Sequence, residues 1–466
     1  MSRCSTGNAQ LDGVLGGGFF PGSVVVVAGA PGTGKTVLAQ QMCFHATQQG
    51  RTASYYTSLS ESHTKIIAHL SRFDFYDAEA LESRVEFLYS GSLLDPPEAG
   101  TGIDGLVAEI RRKALTDKPA VIVVDSCRSL HDFVDPRQLR SSLYELAGGA
   151  AFGDSVLVLV GEYTPEEIGT APEFAVADAI IQLTSEPVGE MSRRWLRVLK
   201  LRGSDYLDGR HSFDVGKPGI VVYPRLERLV GVPPARTSDA RLSTGPDAID
   251  DMIGGGIPAQ DAVLVTGPSG VGKTILSLQF LYVGLTNGER CLYTSFQETP
   301  DDLIATADSF GWDLAPYRER GDLVFVHVPP VEVDLDAVGG LIAAEIDKAP
   351  FSRVVVDSLT ELLVSRENER MASYVWALSA LVRASGGTLM ATDEAGATLV
   401  SAASHAEISV FFDNVIRLSY VEVHDRTGRD VEVAKMRRSA HSRRAAEFTI
   451  GKTGFRLGGA GATSGD

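Results

Sequence analysis

Short runs of apolar residues are separated by longer helical patterns along the chain. Two runs, VVVVAG (Val24 to Gly29) and VLVTG (Val263 to Gly267), are rich in β-branched residues, and each precedes a glycine-rich loop and a helical pattern. Further apolar runs are VIVVD (Val121 to Asp125), VLVLVGE (Val156 to Glu162), RVVVD (Arg353 to Asp357) and GTLMATDE (Gly387 to Glu394). Continuous β-rich runs between helices predict an α/β fold with a mostly parallel sheet flanked by helices.

The whole pattern occurs twice. The segment STGNAQLDGVLGGG (Ser5 to Gly18) recurs in the second half of the chain as STGPDAIDDMIGGG (Ser243 to Gly256), and the same order of features follows each copy. We interpret this as a duplicated domain. The prolines and small polar residues near Val232 are typical of a linker, and the last residues are small and polar. We therefore expect domains at residues 1–232 and 233–457 and a disordered tail at 458–466.

Composition narrows the class of protein and of partner. Apolar residues make up 44% and charged residues 22% of the 466 residues, which is typical of globular domains. The formal net charge of −17 disfavours nucleic acid as a partner, because a polyanion would be repelled. Signal-peptide character and a membrane-length apolar run are both missing from the sequence, so we expect a soluble, cytoplasmic protein. The cysteines lack zinc-ligand spacing, and we expect reduced thiols at Cys4, Cys43, Cys127 and Cys291.

Both glycine-rich loops fit the phosphate-binding pattern G-x-x-x-x-G-K-[ST] and lie between a predicted strand and a predicted helix. In this position, backbone N–H groups and the helix N-terminus can surround the phosphates of a nucleoside triphosphate. We expect the lysines to contact the β- and γ-phosphates and the threonines to bind Mg²⁺. A glycine-rich turn that binds nothing is disfavoured by two matches in this context. The predicted nucleotide-binding residues are Gly29, Gly32, Thr33, Gly34, Lys35 and Thr36, and Gly267, Gly270, Val271, Gly272, Lys273 and Thr274.

Two aspartates complete the predicted metal sites. Asp125 and Asp357 each end an apolar run and are each followed by a serine, as in a Walker B strand. Such an aspartate is often just a turn residue when it occurs alone. Because a P-loop lies upstream in each copy, we predict that the two carboxylates hold Mg²⁺ through water.

These motifs together resemble the KaiC family within the RecA superfamily. The resemblance rests on the S-T-G lead, the P-loop, the Asp-Ser pair, a late K-[LM]-R segment and Phe310-Gly311-Trp312-Asp313, and it covers nearly the whole chain twice. It implies two tandem RecA-like P-loop domains with ATPase activity.

In that family, two adjacent glutamates after the next strand activate the attacking water. The matching positions here are Ser60-Glu61 and Gln297-Glu298, so each copy keeps only the second acid. The resemblance therefore nominates Glu61 and Glu298 as catalytic acids, and a carboxylate near the γ-phosphate is what hydrolysis requires. Each could instead be a solvated acid at the end of a strand. Since the first acid is missing, we expect slow turnover, or ATP binding without turnover.

Family members form hexameric rings with ATP between subunits, and a Lys and an Arg from the neighbour contact the γ-phosphate. The resemblance nominates Lys200 and Arg202 in KLRGS, and Lys435 and Arg437 in KMRRS. A cation supplied in this way would stabilise negative charge on the transferred phosphoryl group. As a bare pattern, K-x-R on a strand is usually a solvated face, but its recurrence in both copies favours the functional interpretation.

The family's clock protein also phosphorylates an adjacent Ser and Thr in its second domain. The aligned stretch here has Ser409 but Val410 in place of the Thr, so Ser409 is a candidate phosphoacceptor, and an ordinary strand serine is the alternative.

Four functions follow from these motifs: an ATP-driven oligomeric switch, a serine/threonine autokinase, a nucleotide-binding pseudo-ATPase, and a DNA-dependent motor. The motor is disfavoured, because the segments that the resemblance brings to the central channel, 161–178 and 394–408, contain acids but neither Lys nor Arg.

Overall fold

The computed structural model describes residues 3–58, 63–90, 102–132, 134–188, 191–232, 235–330, 333–364, 368–394, 408–423 and 426–457. The chain divides into two compact units, Met1–Arg225 and Leu226–Asp466. Among the described residues, no helix is both long enough and apolar enough to cross a membrane.

Within its described residues, the first unit is built on a nine-stranded sheet. The strands are β1 (Val24–Gly29), β2 (Ala53–Thr57), β3 (Val85–Tyr89), β4 (Val121–Asp125), β5 (Val156–Gly161), β6 (Ala179–Val188), β7 (Met191–Leu201), β8 (His211–Gly216) and β9 (Gly219–Tyr223). Their order is β3-β2-β4-β5-β1-β6-β7-β8-β9, with parallel pairing from β3 to β6 and antiparallel pairing from β6 to β9.

Helices cover both faces of this sheet. They are α1 (Ala9–Val14), α2 (Lys35–Gln48), α3 (His63–Leu70), α4 (Ala78–Ser83), α5 (Ile103–Thr116), α6 (Pro136–Gly153) and α7 (Pro172–Val176), with a 3₁₀ helix at Cys127–Asp132. Side chains of β1 alternate between two cores: Val25 and Val27 pack in the core that includes α2, and Val26 packs in the core that includes α5 and α6. Because both faces are buried, the strand is a continuous apolar run, as predicted.

The second unit repeats this arrangement. Its strands are β10 (Arg241–Leu242), β11 (Ile257–Pro258), β12 (Ala262–Gly267), β13 (Cys291–Ser295), β14 (Leu323–His327), β15 (Arg353–Asp357), β16 (Thr388–Glu394), β17 (Asn414–Val423), β18 (Arg426–Met436), β19 (Ala446–Gly451) and β20 (Gly454–Leu457). The large sheet has the order β14-β13-β15-β16-β12-β17-β18-β19-β20, and β10 pairs with β11 separately. Its parallel and antiparallel pairs follow the same sequence as in the first unit. The predicted α/β fold with two tandem RecA-like domains is confirmed.

The helices of the second unit are α8 (Leu226–Leu229), α9 (Asp247–Met252), α10 (Lys273–Thr286), α11 (Pro300–Asp308), α12 (Ala315–Arg320), α13 (Leu335–Lys348), α14 (Leu359–Val364) and α15 (Asn368–Ala384). Along β12, Val263 and Val265 pack in the core that includes α10, whereas Leu264 packs in the core that includes α13 and α15. The same alternation therefore explains the apolar run that precedes the second P-loop.

The units divide a few residues before the predicted boundary near Val232. Leu226 is fully buried in a core of the second unit, and Glu227 forms an ion pair with Arg370 at 3.1 Å. Further along, Arg236 lies 2.6 Å from Asp261 and 2.8 Å from a second aspartate, Asp413. These contacts attach α8 and the segment after it to the second unit. The boundary between independently folding domains stays a prediction.

The repeated S-T-G lead has a structural role in each unit. Thr6 donates two hydrogen bonds to one carboxylate oxygen of Asp12, from its backbone N–H and its hydroxyl, both at 2.8 Å. Thr244 makes the same pair of bonds to Asp250, at 2.8 and 2.7 Å. The Thr and Asp of the lead therefore fix a turn ahead of each sheet, and this explains why these residue types recur.

Candidate functional site

Each P-loop connects the central strand of its sheet to a helix that begins at the P-loop lysine. The residue before that lysine, Gly34 or Gly272, has a φ of 98° or 119°, a left-handed backbone that favours glycine. At the first glycine, an added Cβ would lie 2.3 Å from the carbonyl oxygen of Leu183 or Leu418 on the next strand. Both ends of each loop therefore require glycine, and the N-terminus of α2 or α10 faces the concave loop.

The P-loop lysines lie back over their own loops. Lys35 Nζ donates to the carbonyl oxygen of Ala30 at 2.8 Å and lies 3.9 Å from the carboxylate of Glu162. Lys273 Nζ donates to the carbonyl oxygens of Gly267 and Pro268 at 2.8 and 3.0 Å. Burial lowers the pKa of both lysines, while nearby acids, first Glu162 for Lys35, act to raise it. A partly desolvated ammonium group held at such a loop is suited to an anionic ligand.

The predicted metal ligands meet in both units. Thr36 Oγ1 donates to Asp125 Oδ2 at 2.8 Å, and Thr274 Oγ1 donates to Asp357 Oδ2 at 2.7 Å. The contact arises because β1 and β4, and likewise β12 and β15, end at the same edge of a parallel sheet. A hydroxyl and a carboxylate at one edge of a P-loop supply hard oxygen donors of the kind that Mg²⁺ prefers.

A tyrosine supports each of these aspartates. Tyr55 OH donates to Asp125 Oδ2 at 2.5 Å, and Tyr293 OH donates to Asp357 Oδ2 at 2.6 Å. In the second unit, Thr392 on β16 also donates a short hydrogen bond to the other oxygen of Asp357. These donors orient the carboxylate of each aspartate.

A cleft of about 350 Å³ surrounds the second P-loop. Its lining includes Lys273, Thr274, Asp357 and Glu298, which follows β13. Ser295 Oγ donates to the backbone oxygen of Glu298 at 2.8 Å and fixes the turn. Burial raises the pKa of the Glu298 carboxyl, and the charge of Asp357 raises it further. The structure thus brings Glu298 together with the predicted phosphate and metal residues.

Glu61 lies outside the described residues, and its role stays a prediction. The register of the strands matches Glu298 to a different residue of the first unit than the motif does. Thr57 and Ser295 occupy equivalent positions, because each ends its strand opposite the Walker B aspartate of its own unit. Counted from these two residues, Glu298 corresponds to Ser60, whereas the motif match pairs it with Glu61, the next position along the chain.

The four candidate cations lie away from their own P-loops. Lys435 pairs with Val415, which pairs in turn with Leu264, the third of the six residues of β12. The P-loop follows the last residue of that strand. Lys435 Nζ donates to the carbonyl oxygens of Ser409 (2.9 Å) and Phe412 (2.8 Å).

The other three cations have comparable positions. Arg437 follows β18 and donates to the carbonyl oxygen of Val410 at 2.9 Å. In the first unit, Lys200 pairs with Ile180, which is next to Val26, and Arg202 forms an ion pair with Asp178 at 3.3 Å. The structure does not bring these cations to the P-loop of the same unit.

Ser409 precedes β17 and has helical backbone, so it is not a strand serine. In the first channel segment, 161–178, Glu173 is fully buried and lies 2.5 Å from the imidazole of His131. This acid therefore adds little to the exposed charge on which the prediction about nucleic acid depends. Residues 395–407 of the second channel segment lie outside the described residues.

Sequence reasoning missed several polar groups around the sites. They are Tyr55, Glu162, Tyr293, Glu361, Thr392 and Glu394. A signal was present for two of them: Glu162 and Glu394 stand at matching strand ends, equally far along the chain from Asp125 and Asp357 respectively. The charge of each glutamate acts on the P-loop lysine of its own unit.

Comparison with known proteins agrees with this geometry. The family model described as "ATPase: KaiC" matches residues 4–227 and again 242–460. The chain is 27% identical to the circadian clock oscillator protein KaiC of Parathermosynechococcus lividus, over 98% of this chain and 85% of that protein. It is 28% identical to the circadian clock protein KaiC3 of Synechocystis, over 98% of this chain and 92% of that protein.

Proposed function

The chain belongs to the KaiC family of ATPases, and from this premise we propose that it is a slow, Mg²⁺-dependent ATPase that acts as an oligomeric conformational switch. One observation carries the proposal: each unit has its own P-loop, threonine and aspartate, whereas its candidate lysine lies two strands away from the central strand, level with the middle of that strand. A site completed by a second copy of the chain would link hydrolysis to assembly.

The residues at each P-loop would hold ATP and Mg²⁺. The backbone N–H groups of the loop and the lysine would bind the β- and γ-phosphates. Thr36 with Asp125, and Thr274 with Asp357, would hold the metal, directly or through water. A bound Mg²⁺ would neutralise negative charge on the phosphates.

Hydrolysis in the second domain would use Glu298 as the base. The oxygen of a water molecule forms a bond to the γ-phosphorus, and the bond from that phosphorus to the bridging oxygen breaks, with its electron pair left on ADP. The proton of the water passes to the carboxylate of Glu298 and then to solvent, which yields ADP and inorganic phosphate. In the first domain we assign the corresponding role to Glu61.

We assign Lys200, Arg202, Lys435 and Arg437 to the γ-phosphate of a neighbouring copy in a hexameric ring. The strand register supports this assignment, since Lys435 lies level with Leu264, three positions before Gly267 and two strands away. At about 3.3 Å per residue and 4.8 Å per strand, its backbone is on the order of 14 Å from that glycine.

The test is solution mass with and without ATP and Mg²⁺, measured together with phosphate release. We expect nucleotide to drive assembly, because interfacial binding favours the oligomer by mass action. Lys435→Ala should lower turnover and weaken assembly, while Lys452→Ala, at an exposed position of the same unit, should change neither. A protein that stays monomeric at full nucleotide occupancy would exclude roles for these cations in a neighbouring copy.

Autokinase activity is a second candidate, supported by Ser409. Its backbone oxygen accepts a hydrogen bond from Lys435, so Ser409 lies beside a cation that we assign to a neighbour's γ-phosphate. Incubation with γ-labelled ATP separates the two activities, since an autokinase retains label on the protein and Ser409→Ala removes it. If all of the label is released as inorganic phosphate, hydrolysis is the only activity that the protein has in this assay.

Protein partners are preferred over nucleic acid, on the basis of net charge. We place the protein in the cytoplasm, and the free thiols of Cys4, Cys43, Cys127 and Cys291 support a reducing compartment.

A further inference from the structure

A further acid, Glu361, lines the nucleotide cleft of the second domain, in addition to Glu298, Asp357 and Glu394. It is on α14, four positions after Asp357, and lines the same cleft as Lys273 and Glu298. Ser358 Oγ donates to Glu361 Oε2 at 2.6 Å, and Gln297 Nε2 donates a short hydrogen bond to Oε1. Both carboxylate oxygens therefore accept hydrogen bonds from neighbouring side chains.

This contact fixes the orientation of the Gln297 amide. An ionised carboxylate only accepts hydrogen bonds, so Gln297 must present its NH₂ group to Glu361. The carbonyl oxygen of the amide then points elsewhere and can accept a hydrogen bond from water. Gln297 precedes Glu298 and occupies the position of the first of the two adjacent acids in the family pattern.

We propose that Glu361 is a positioning residue for ATP hydrolysis in the second domain. It holds Gln297 so that the amide oxygen and the Glu298 carboxylate together orient the attacking water. The roles of the missing first acid are thereby divided between two residues: Glu361 supplies the negative charge, and Gln297 supplies the oxygen near the water. This inference rests on the proposed role of Glu298.

The first domain lacks this arrangement at the matching position. Glu361 comes four positions after Asp357, and the residue four positions after Asp125 is Ser129. Ser129 Oγ donates to the backbone oxygen of Ser126 at 2.7 Å. The proposed device therefore belongs to the second domain, and its removal should leave turnover in the first domain unchanged.

The test is steady-state phosphate release by full-length protein, with the share of the second domain taken as total turnover minus that of Lys273→Ala. We expect Glu361→Gln to lower the kcat of this share at least about tenfold, with the KM for ATP within about twofold of wild type. Gln297→Ala should cause a similar loss. The double variant Gln297→Ala/Glu361→Gln should be no slower than Gln297→Ala, because both residues act through one interaction.

Matched controls separate this role from a structural one. Glu319→Gln, at an exposed position of the same domain, should leave kcat unchanged. If Glu361→Gln does not fold, the exchange Gln297→Glu/Glu361→Gln keeps an acid–amide pair and should retain at least about a third of the turnover.

Three results would overturn the proposal: a kcat of Glu361→Gln within twofold of wild type, losses that multiply in the double variant, or no turnover attributable to the second domain. Should Glu298→Gln slow hydrolysis while Glu361→Gln does not, only the role of Glu361 fails. Should neither variant slow hydrolysis, the role of Glu298 as the base fails as well.

Discussion

In both domains a P-loop lysine, a threonine and a strand-end aspartate occupy the same positions, while the polar groups around them differ. Among the described residues, Asp125 accepts hydrogen bonds from Thr36 and Tyr55. Asp357 accepts bonds from three side chains, Thr274, Tyr293 and Thr392.

A second difference lies at the position of Glu361, which is a serine in the first domain. The groups predicted to bind phosphate and metal are thus common to both copies, whereas Glu361 has no acidic counterpart at the matching position of the first domain. We therefore expect that each domain binds nucleotide and that the two domains hydrolyse it at different rates.

Among the predicted changes, loss of a P-loop lysine should lower ATP turnover the most. We expect Lys273→Ala to reduce turnover in the second domain by about 100-fold or more, because the lysine stabilises charge on the phosphoryl group. Lys35→Ala should remove a smaller part of total phosphate release, since the first domain lacks the counterpart of Glu361. Lys348→Ala, at a mostly exposed lysine, is the control. If both P-loop variants lose the same part of total phosphate release, the prediction that the second domain turns over faster than the first is wrong.

Removal of the proposed base should separate binding from hydrolysis. Glu298→Gln should lower the kcat of the second domain by about 100-fold, the usual scale for a positioned base, while ATP affinity is retained. Single-turnover phosphate release and nucleotide titration measure the two quantities. Unchanged turnover in Glu298→Gln would instead indicate a domain that binds ATP without using this acid.

The pH dependence of the second domain should reflect the raised pKa of Glu298. The base must be deprotonated, so turnover is retained above its pKa and falls by about tenfold per pH unit below it. Because burial raises this pKa, the fall should begin at a higher pH than for an ordinary glutamate, whose pKa is about 4.3. The measurement is a pH profile of kcat in the Lys35→Ala background. A profile centred at the ordinary value would show that Glu298 is not the titrating base.

The smallest expected effect concerns the tyrosines behind the aspartates. Tyr55→Phe and Tyr293→Phe each remove one donor to a carboxylate, which costs about 1.5–3 kcal/mol in the free energy of unfolding. The loss should be larger for Tyr55→Phe, because Asp357 keeps two described donors and Asp125 keeps one. Urea denaturation tests this, with Tyr144→Phe at an exposed position as the control. If both variants lose the same free energy of unfolding, the hydrogen bond from Thr392 does not compensate for the loss of Tyr293.

The sequence predicted the sheets and the P-loops well because both have local signals. A strand buried on both faces is a continuous apolar run, and a P-loop has fixed spacing. Tyr55 and Thr392 could not be found this way, since each reaches its aspartate from a separate strand. Glu361 was missed for a related reason, because its importance depends on Gln297, a residue 64 positions away.

Because α8 packs on the second unit, it determines where a fragment that contains only the second half of the chain should begin. A cut after Val232 would separate Leu226 from the core that buries it and would take Glu227 from Arg370. Loss of a buried leucine side chain alone costs about 2–5 kcal/mol. A fragment meant to represent the second half should therefore start upstream of Leu226, so that it keeps this short helix together with Arg236.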